Sequence, residues 1–340
     1  MEPYSNPRRP LEVALINRRP IEGNYSIESY FNRVGQALRE LGITVHEHTA
    51  TQASRGLLPR LKIIRFARRH QAAITHITGD IHFAALGTEP KRTIVTVHDC
   101  GRLHQLRGLQ REVLRQFWFA LPLRPIAAIT VVSQAVKDDL LRWVPELEPE
   151  RIHVIPVCIS PRFTFWAKSF PTSNVRILQV GTAPNKNLPR LIEALHGLDV
   201  TLVVIGSLEE SQQQLLAQHR IRYETHRNLS EPEVVSLYRS VDLVAFASTL
   251  EGFGMPILEA QATGRPVLTS NCASMPDVAG GGALLVDPTS VASIRAGLQR
   301  LLCDPACRQE LIERGQANVR RFSATAIARQ YLQIYQSLAA

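Results

Sequence analysis

STLEGFGMPILEAQATGRPVLTS, residues 248–270, carries the deciding pattern of this 340-residue chain. A buried-type strand, VDLVAFA (241–247), runs into Glu251, Gly252, Phe253 and Gly254, and a helix then opens with Met255 and Pro256, proline being suited to a first helical turn. RPVLTS (265–270) follows as another strand. The glycines let backbone approach a ligand closely. Free N–H groups at a helix start, with the positive end of the dipole, make an anion site suited to a diphosphate. Glu251 and Glu259 flank that helix start with seven residues between them. As an isolated pair they would read as a cap and a solvated helical glutamate. Around this loop, one carboxylate is placed for sugar hydroxyls and the other for the two hydroxyls of a ribose.

VGTAPNKNLPRLIEAL (180–195) is a second strand, loop and helix. Lys186 sits between Asn185 and Asn187 at the helix opening, where the macrodipole disfavours a cation, and that unfavourable placement points to neutralisation of a leaving diphosphate. In the first half, TVHDCG (96–101) sets His98 and Asp99 at the carboxyl end of a strand, where a histidine can bond a sugar hydroxyl. Standing alone, His98 would read as structural. NRRPIEGNYS (17–26) places Gly23 at a strand-to-helix turn where an acceptor or phosphate can pass.

Working outward, the same alternation fills the chain. Strand-length apolar runs occur at 11–17, 43–47, 72–78, 93–99, 126–133 and 151–156, and again at 175–181 and 200–206. Helical segments lie between most of them, including 187–196, 209–219 and 231–239, the last opened by a Ser230/Glu233 capping box. Strands alternating with helices of this size imply parallel βαβ units. The expected fold is therefore α/β, with two doubly wound Rossmann-like domains facing a central cleft. The first covers 1–156 and takes the acceptor. Residues 157–174, which together with Pro156 hold three prolines and show no periodicity, read as a linker, and 175–322 form the nucleotide-sugar domain. Helices are expected over 289–302 and 304–317. A terminal helix, 323–340, presents Ile327, Tyr331, Ile334 and Leu338 as one stripe and is expected to pack back on the first domain.

Together these runs resemble the family-4 glycosyltransferases of the GT-B fold, retaining nucleotide-sugar enzymes related to glycogen and sucrose synthases. The 251–270 segment is similar to that family's glutamate pair with its Gly-Phe-Gly loop, and 180–195 to its phosphate loop. SMPDVAGGGALLVDP (274–288) and FSATAIARQYLQIYQSL (322–338) also match its pattern. The resemblance implies that Glu259 binds the donor ribose. It gives Glu251 and the backbone of Gly252, Phe253, Gly254 and Met255 to the donor sugar, Lys186 to the diphosphate, and His98 to the sugar near the reaction centre. Gly23 and Thr182 join the donor-binding candidates. Members usually carry an arginine near the lysine. Here Thr182 and Asn185 precede it, which leaves the diphosphate to Lys186 and helix N–H groups or to Arg190 as a substitute. Asp277 stands where the family commonly has Glu. No cofactor is expected, and no metal, since no Asp-x-Asp signature occurs. The reaction implied is hexose transfer with retention, by front-face attack with the leaving diphosphate as base. The donor class is a UDP- or GDP-hexose and the acceptor a glycan or a lipid-linked hydroxyl, with base recognition near Arg227 to Leu229.

A composition of 45% hydrophobic and 20% charged residues excludes wholesale disorder, collagen and small disulfide scaffolds. No apolar run approaches the roughly 18 residues of a membrane span, and the N-terminus lacks a signal-peptide pattern, so a cytoplasmic protein is expected. Five scattered cysteines fit reduced thiols; Cys303 and Cys307, four apart on a helix, read as ordinary thiols with no third metal ligand.

The net charge of +9 is not spread evenly. Residues 51–124 alone hold 13 basic and 4 acidic side chains, an excess of +9. Two segments dominate, RGLLPRLKIIRFARRH (55–70) and GLQREVLRQFWFALPLR (108–124). Basic amphipathic helices can lie on an anionic membrane, here the inner face of the plasma membrane. Alternatively their apolar faces pack on the first sheet and the arginines are solvated. No nucleic-acid-binding signature accompanies the charge, so nucleic acid is not an expected partner. The rival readings are a non-catalytic basic scaffold on a degenerate fold and a nucleotide-sugar epimerase.

Overall fold

The computed structural model describes residues 11–20 and 26–340. Gly23 lies outside them. Two compact units result: Met1–Cys158 together with Ala324–Ala340, and Ile159–Ser323.

The first unit is built on a six-stranded sheet of β1 (Glu12–Asn17), β2 (Thr44–Thr49), β3 (Ile74–Ile77), β4 (Thr93–Val97), β5 (Ala128–Val131) and β6 (Ile152–Val154). Its order is β2-β1-β3-β4-β5-β6, and every pairing is parallel. The strands at its centre are buried on both faces, which is why they read as continuous apolar runs rather than alternating ones. The helix Ser26–Glu40 packs Tyr30, Phe31, Val34 and Leu38 on this sheet beside Ile327, Ala328, Tyr331 and Tyr335 of the terminal helix Ala324–Ala339. Each such buried side chain contributes about 1.5–3 kcal/mol. Tyr30 and Tyr331 share a hydroxyl hydrogen bond at 3.0 Å, and His76 bonds Tyr335 at 2.6 Å and Thr96 at 2.7 Å.

The second unit carries β7 (Val175–Val180), β8 (Val200–Ile205), β9 (Arg222–His226), β10 (Leu243–Phe246), β11 (Val267–Ser270) and β12 (Leu284–Val286). They run in the order β12-β11-β10-β7-β8-β9, again all parallel. The doubly wound α/β expectation holds for both sheets. Strands β9 and β12 were not expected: β9, RYETH, is a polar edge strand, and β12 has three residues. Residues 157–174, read as a linker, join the second unit from Ile159 onward. Trp166 N–H donates to the Thr263 carbonyl at 3.4 Å, Arg265 donates to the Trp166 carbonyl, and Lys168 pairs with buried Asp242. The proline-containing segment is therefore a packed strap rather than a free spacer.

The basic segments also differ from a simple amphipathic picture. The helix Leu57–Arg69 buries Ile63 and Ala67, while Leu57 and Leu58 stand 72% and 71% exposed. Segment 108–124 is not one regular helix: Gly108–Leu114 passes through a π-helical stretch, Arg115–Ala120, into Leu121–Leu123. Leu109, Val113, Phe117 and Leu121 are exposed along it. The apolar face proposed to pack on the sheet is thus in large part open to solvent.

Candidate active site

Each sheet reverses its winding once, and ligands in such sheets gather outside the carboxyl ends of the strands at that point. In the second unit the reversal falls between β7 and β10. This makes neighbours of the loops that carry Lys186 and Glu251, although 65 residues separate the two. Lys186 Nζ donates to Glu251 Oε1 at 2.7 Å and lies 4.8 Å from the centre of the Phe246 ring. Asn185 Nδ2 donates to the Leu250 carbonyl at 2.9 Å, and the Thr249 N–H donates to the Asn185 carbonyl at 2.8 Å, tying the loops together.

Asn187 takes the left-handed conformation, φ 59°, as the residue before the helix Leu188–Leu195. Its buried amide donates to the carbonyls of Ala247 at 2.9 Å and Pro288 at 2.7 Å. The asparagines beside the lysine therefore build the loop, and the lysine is left facing the glutamate. Gly181, at φ 86°, gives the Lys186 stem room: a Cβ there would sit 3.0 Å from it. Thr182 is turned away, donating its hydroxyl to the Ser207 carbonyl at 2.7 Å. Arg190 donates to Asn187 Oδ1 at 3.0 Å. It also faces Asp287, whose carboxyl is held below the usual range first by the Thr289 hydroxyl and N–H and then by Arg190.

Gly254 precedes the helix Met255–Thr263 with φ 112°. Ser274 Oγ donates to the carbonyls of Phe253 at 2.6 Å and Glu251 at 3.1 Å, holding the glycine loop in shape. One face of that helix presents Glu259, whose Oε2 accepts from the Tyr238 hydroxyl at 2.6 Å. Tyr238 is fully buried on the helix Glu231–Ser240, and burial first, then Glu259, raises its pKa well above the usual value. It was not singled out from the sequence, because a tyrosine in the apolar stripe of that helix reads as core. The Ser230/Glu233 capping box that starts the helix is present.

His98 belongs to the first unit. One ring nitrogen hydrogen-bonds the Thr78 carbonyl at 2.8 Å, and the ring stands edge-on to Tyr30 and Phe31. The carbonyl requires a proton on that nitrogen, which leaves the other as the atom available to a ligand. Asp99 accepts the Gly101 N–H at 2.8 Å. Arg18, just after β1, is buried and donates to Glu28 at 2.8 Å and Asp80 at 2.5 Å. Among the described residues, no group of three or more His, Cys, Asp or Glu is arranged to hold a metal, and all five cysteines are free thiols.

Two family models match in succession, Glycosyltransferase Family 4 over residues 33–163 and Glycosyl transferases group 1 over residues 162–318. The chain is a family-4 glycosyltransferase. This transferase is 29% identical, over 76% of its length and 68% of the relative's, to the MMP alpha-(1->4)-mannosyltransferase of Mycolicibacterium hassiacum. It is 30% identical to the serotype-specific mannosyltransferase WbdA of Escherichia coli over 69% of its own chain but 32% of that protein. Its fold matches that of Anabaena HepE, solved in complex with UDP-glucose, with a TM-score of 0.77 at 16% identity, covering 96% of the transferase and all of HepE. The GT-B fold expected from the sequence is thus the fold of this transferase.

Proposed function

We propose that this transferase moves a hexose from a nucleoside diphosphate sugar to a hydroxyl of a glycan or lipid-linked acceptor, with retention and without a metal. The observation that carries the reading is the Lys186–Glu251 pair, set beside the start of the helix Met255–Thr263 at the reversal of the second sheet. A diphosphate entering there meets an ammonium and the positive end of the helix dipole, and it replaces Glu251 as the partner of Lys186. Glu251 is then released to accept hydroxyl protons of the donor sugar. Glu259, held by Tyr238, accepts from the ribose, which fixes the nucleoside along the helix.

In the transfer, the bond from the anomeric carbon to the diphosphate oxygen breaks, and charge grows on the diphosphate, where Lys186 and the helix start stabilise it. The acceptor oxygen attacks the same face, and its proton passes to the departing diphosphate oxygen. His98, with one nitrogen committed to the Thr78 carbonyl, keeps the other for a hydroxyl of a sugar bound at the first unit.

The names of the relatives support a mannosyl donor, and the fold shared with HepE supports a uridine nucleotide. A thermal-shift panel of UDP-, GDP- and ADP-hexoses decides between them, because a ligand at 100 times its Kd adds about 2.7 kcal/mol of stability. One donor is expected to raise the melting temperature, and Lys186→Ala and Glu259→Ala to remove that rise. A rise unchanged in both variants would overturn the reading. Turnover of a nucleotide sugar without acceptor would favour an epimerase instead.

The exposed Leu57, Leu58, Leu109 and Phe117, flanked by Arg60, Lys62, Arg107 and Arg111, favour attachment to an anionic membrane surface, the inner face of the plasma membrane in a cytoplasmic setting. Among the described residues no helix is long and apolar enough to cross a membrane. Flotation on vesicles with and without phosphatidylglycerol tests this; binding that ignores both the anionic lipid and salt would sink it.

A further inference from the structure

The carboxyl edge of the first sheet holds a concavity of about 860 Å³. Besides the paired Arg18, its cations come from three separate segments: Arg19 after β1, Arg55 between β2 and the helix Leu57–Arg69, and Arg102 in the short helix Gly101–Gln105 after β4. All three are exposed, and no carboxylate among the described residues pairs with any of them. The carboxylates that share the wall are already engaged. Asp80 is held by Arg18 at 2.5 Å, and Asp99 accepts the Gly101 N–H at 2.8 Å. Trp118 lines the same wall with its indole N–H donating to the Asp80 carbonyl at 3.1 Å, so the ring is fixed in place.

Three exposed guanidiniums from separate segments thus line one concavity without a carboxylate partner. An anion with several oxygens can engage more than one of them, because the planar forks of arginine match phosphate oxygens two at a time. We infer that this concavity binds the phosphate or pyrophosphate of a phosphorylated acceptor between Arg19, Arg55 and Arg102, with Trp118 against the organic part. The inference rests on the glycosyl-transfer reading and names the acceptor class for it. Two sources share this chemistry, a soluble sugar or polyol phosphate and the phosphate of a lipid headgroup. The exposed leucines that begin at Leu57 follow Arg55 directly in the chain, so a lipid-borne phosphate would reach the concavity from the apolar face.

The test titrates the full chain with sodium pyrophosphate and sn-glycerol 3-phosphate, and separately with phosphatidylglycerol vesicles. Two triple variants are compared. One is Arg19→Gln/Arg55→Gln/Arg102→Gln, and the other is Arg65→Gln/Arg68→Gln/Arg92→Gln, which removes the same charge from exposed sites outside the concavity. The first triple is expected to weaken pyrophosphate binding by more than about tenfold and the second by less than about twofold. Soluble phosphates that bind in this arginine-dependent way indicate a soluble acceptor. Arginine-dependent binding to vesicles alone indicates a lipid-borne one, and either result supports the site. Equal losses in both triples, no loss in the first, or no anion binding by the wild type would overturn it. The reading beneath is checked apart, by titrating the wild type with UDP and GDP: a chain that binds one of these and ignores phosphates keeps its transferase reading and loses this site.

Discussion

The hydroxyl of Tyr238 donates to Glu259 Oε2 at 2.6 Å from a side chain with no solvent exposure. The tyrosine cannot swing out to follow another partner, so it selects one orientation of the carboxylate. Tyr238→Phe keeps the ring and its edge-on contact with Phe163 and removes only that bond. The donor KM is expected to rise about three- to tenfold with kcat little changed, consistent with the loss of one charge-assisted hydrogen bond. Preference for the ribo- over the 2′-deoxyribonucleotide donor should narrow in the variant. A fall in kcat with KM unchanged would refute a positioning role.

Lys186 and Glu251 are 21% and 13% exposed, so each partly relies on the other for its missing hydration. Lys186→Ala strands the carboxylate and is expected to cost about 1–3 kcal/mol in denaturant unfolding as well as donor binding. Adding Glu251→Gln should return most of that stability and none of the turnover. A double-mutant cycle in urea reads the coupling directly.

Gly254 sits at φ 112°, and an added Cβ would lie 3.2 Å from Ile257 Cδ1. Gly254→Ala is expected to lose about 1–2 kcal/mol through backbone strain and to move the loop that faces the donor. Unfolding curves measure the first effect and donor KM the second.

Burial pushes the His76 imidazole down to about 3, with the charge of His98 adding to it, and pushes His82 down to about 4 against the opposing charge of Asp80. Both rings stay neutral in the folded chain at pH values where the unfolded chain, near 6.5, takes up protons. Stability from these two is therefore complete above about pH 6.5 and falls as the pH drops toward 4, by up to about 1.4 kcal/mol per pH unit for each histidine. Melting temperatures recorded from pH 7.5 to 4.5 should decline, and His76→Gln should flatten the decline.

Much of the second-unit site was legible because its chemistry is local in sequence: a strand, a glycine turn and a helix start within a score of residues define where backbone N–H groups point. The meeting of Lys186 with Glu251 was less visible, since it depends on β7 lying beside β10, and strand order is set by sheet winding rather than by either segment. Tyr238 was hidden because core and positioning tyrosines share one periodicity. Segment 157–174 read as a linker because the aromatic residues that pack, Phe163 and Phe170, follow no helical or strand period. In 55–70 the buried pair is Ile63 and Ala67, while Leu57, Leu58 and Leu61 face water, a split that the run of apolar residues does not by itself reveal.

The helix Ala324–Ala339 supplies Ile327, Tyr331 and Tyr335 to the core of the first unit, and His76 of that core bonds Tyr335. During synthesis the ribosome must therefore deliver all of residues 159–323 before the sheet made first can be finished. The second unit, continuous in the chain, closes as it emerges, while the first waits with an unfilled face. A nascent chain arrested just short of Ala324 should show protease protection over 175–320 and cleavage within the earlier-made 26–156. Truncations within Ala324–Ala339 would thus injure the oldest part of the polypeptide.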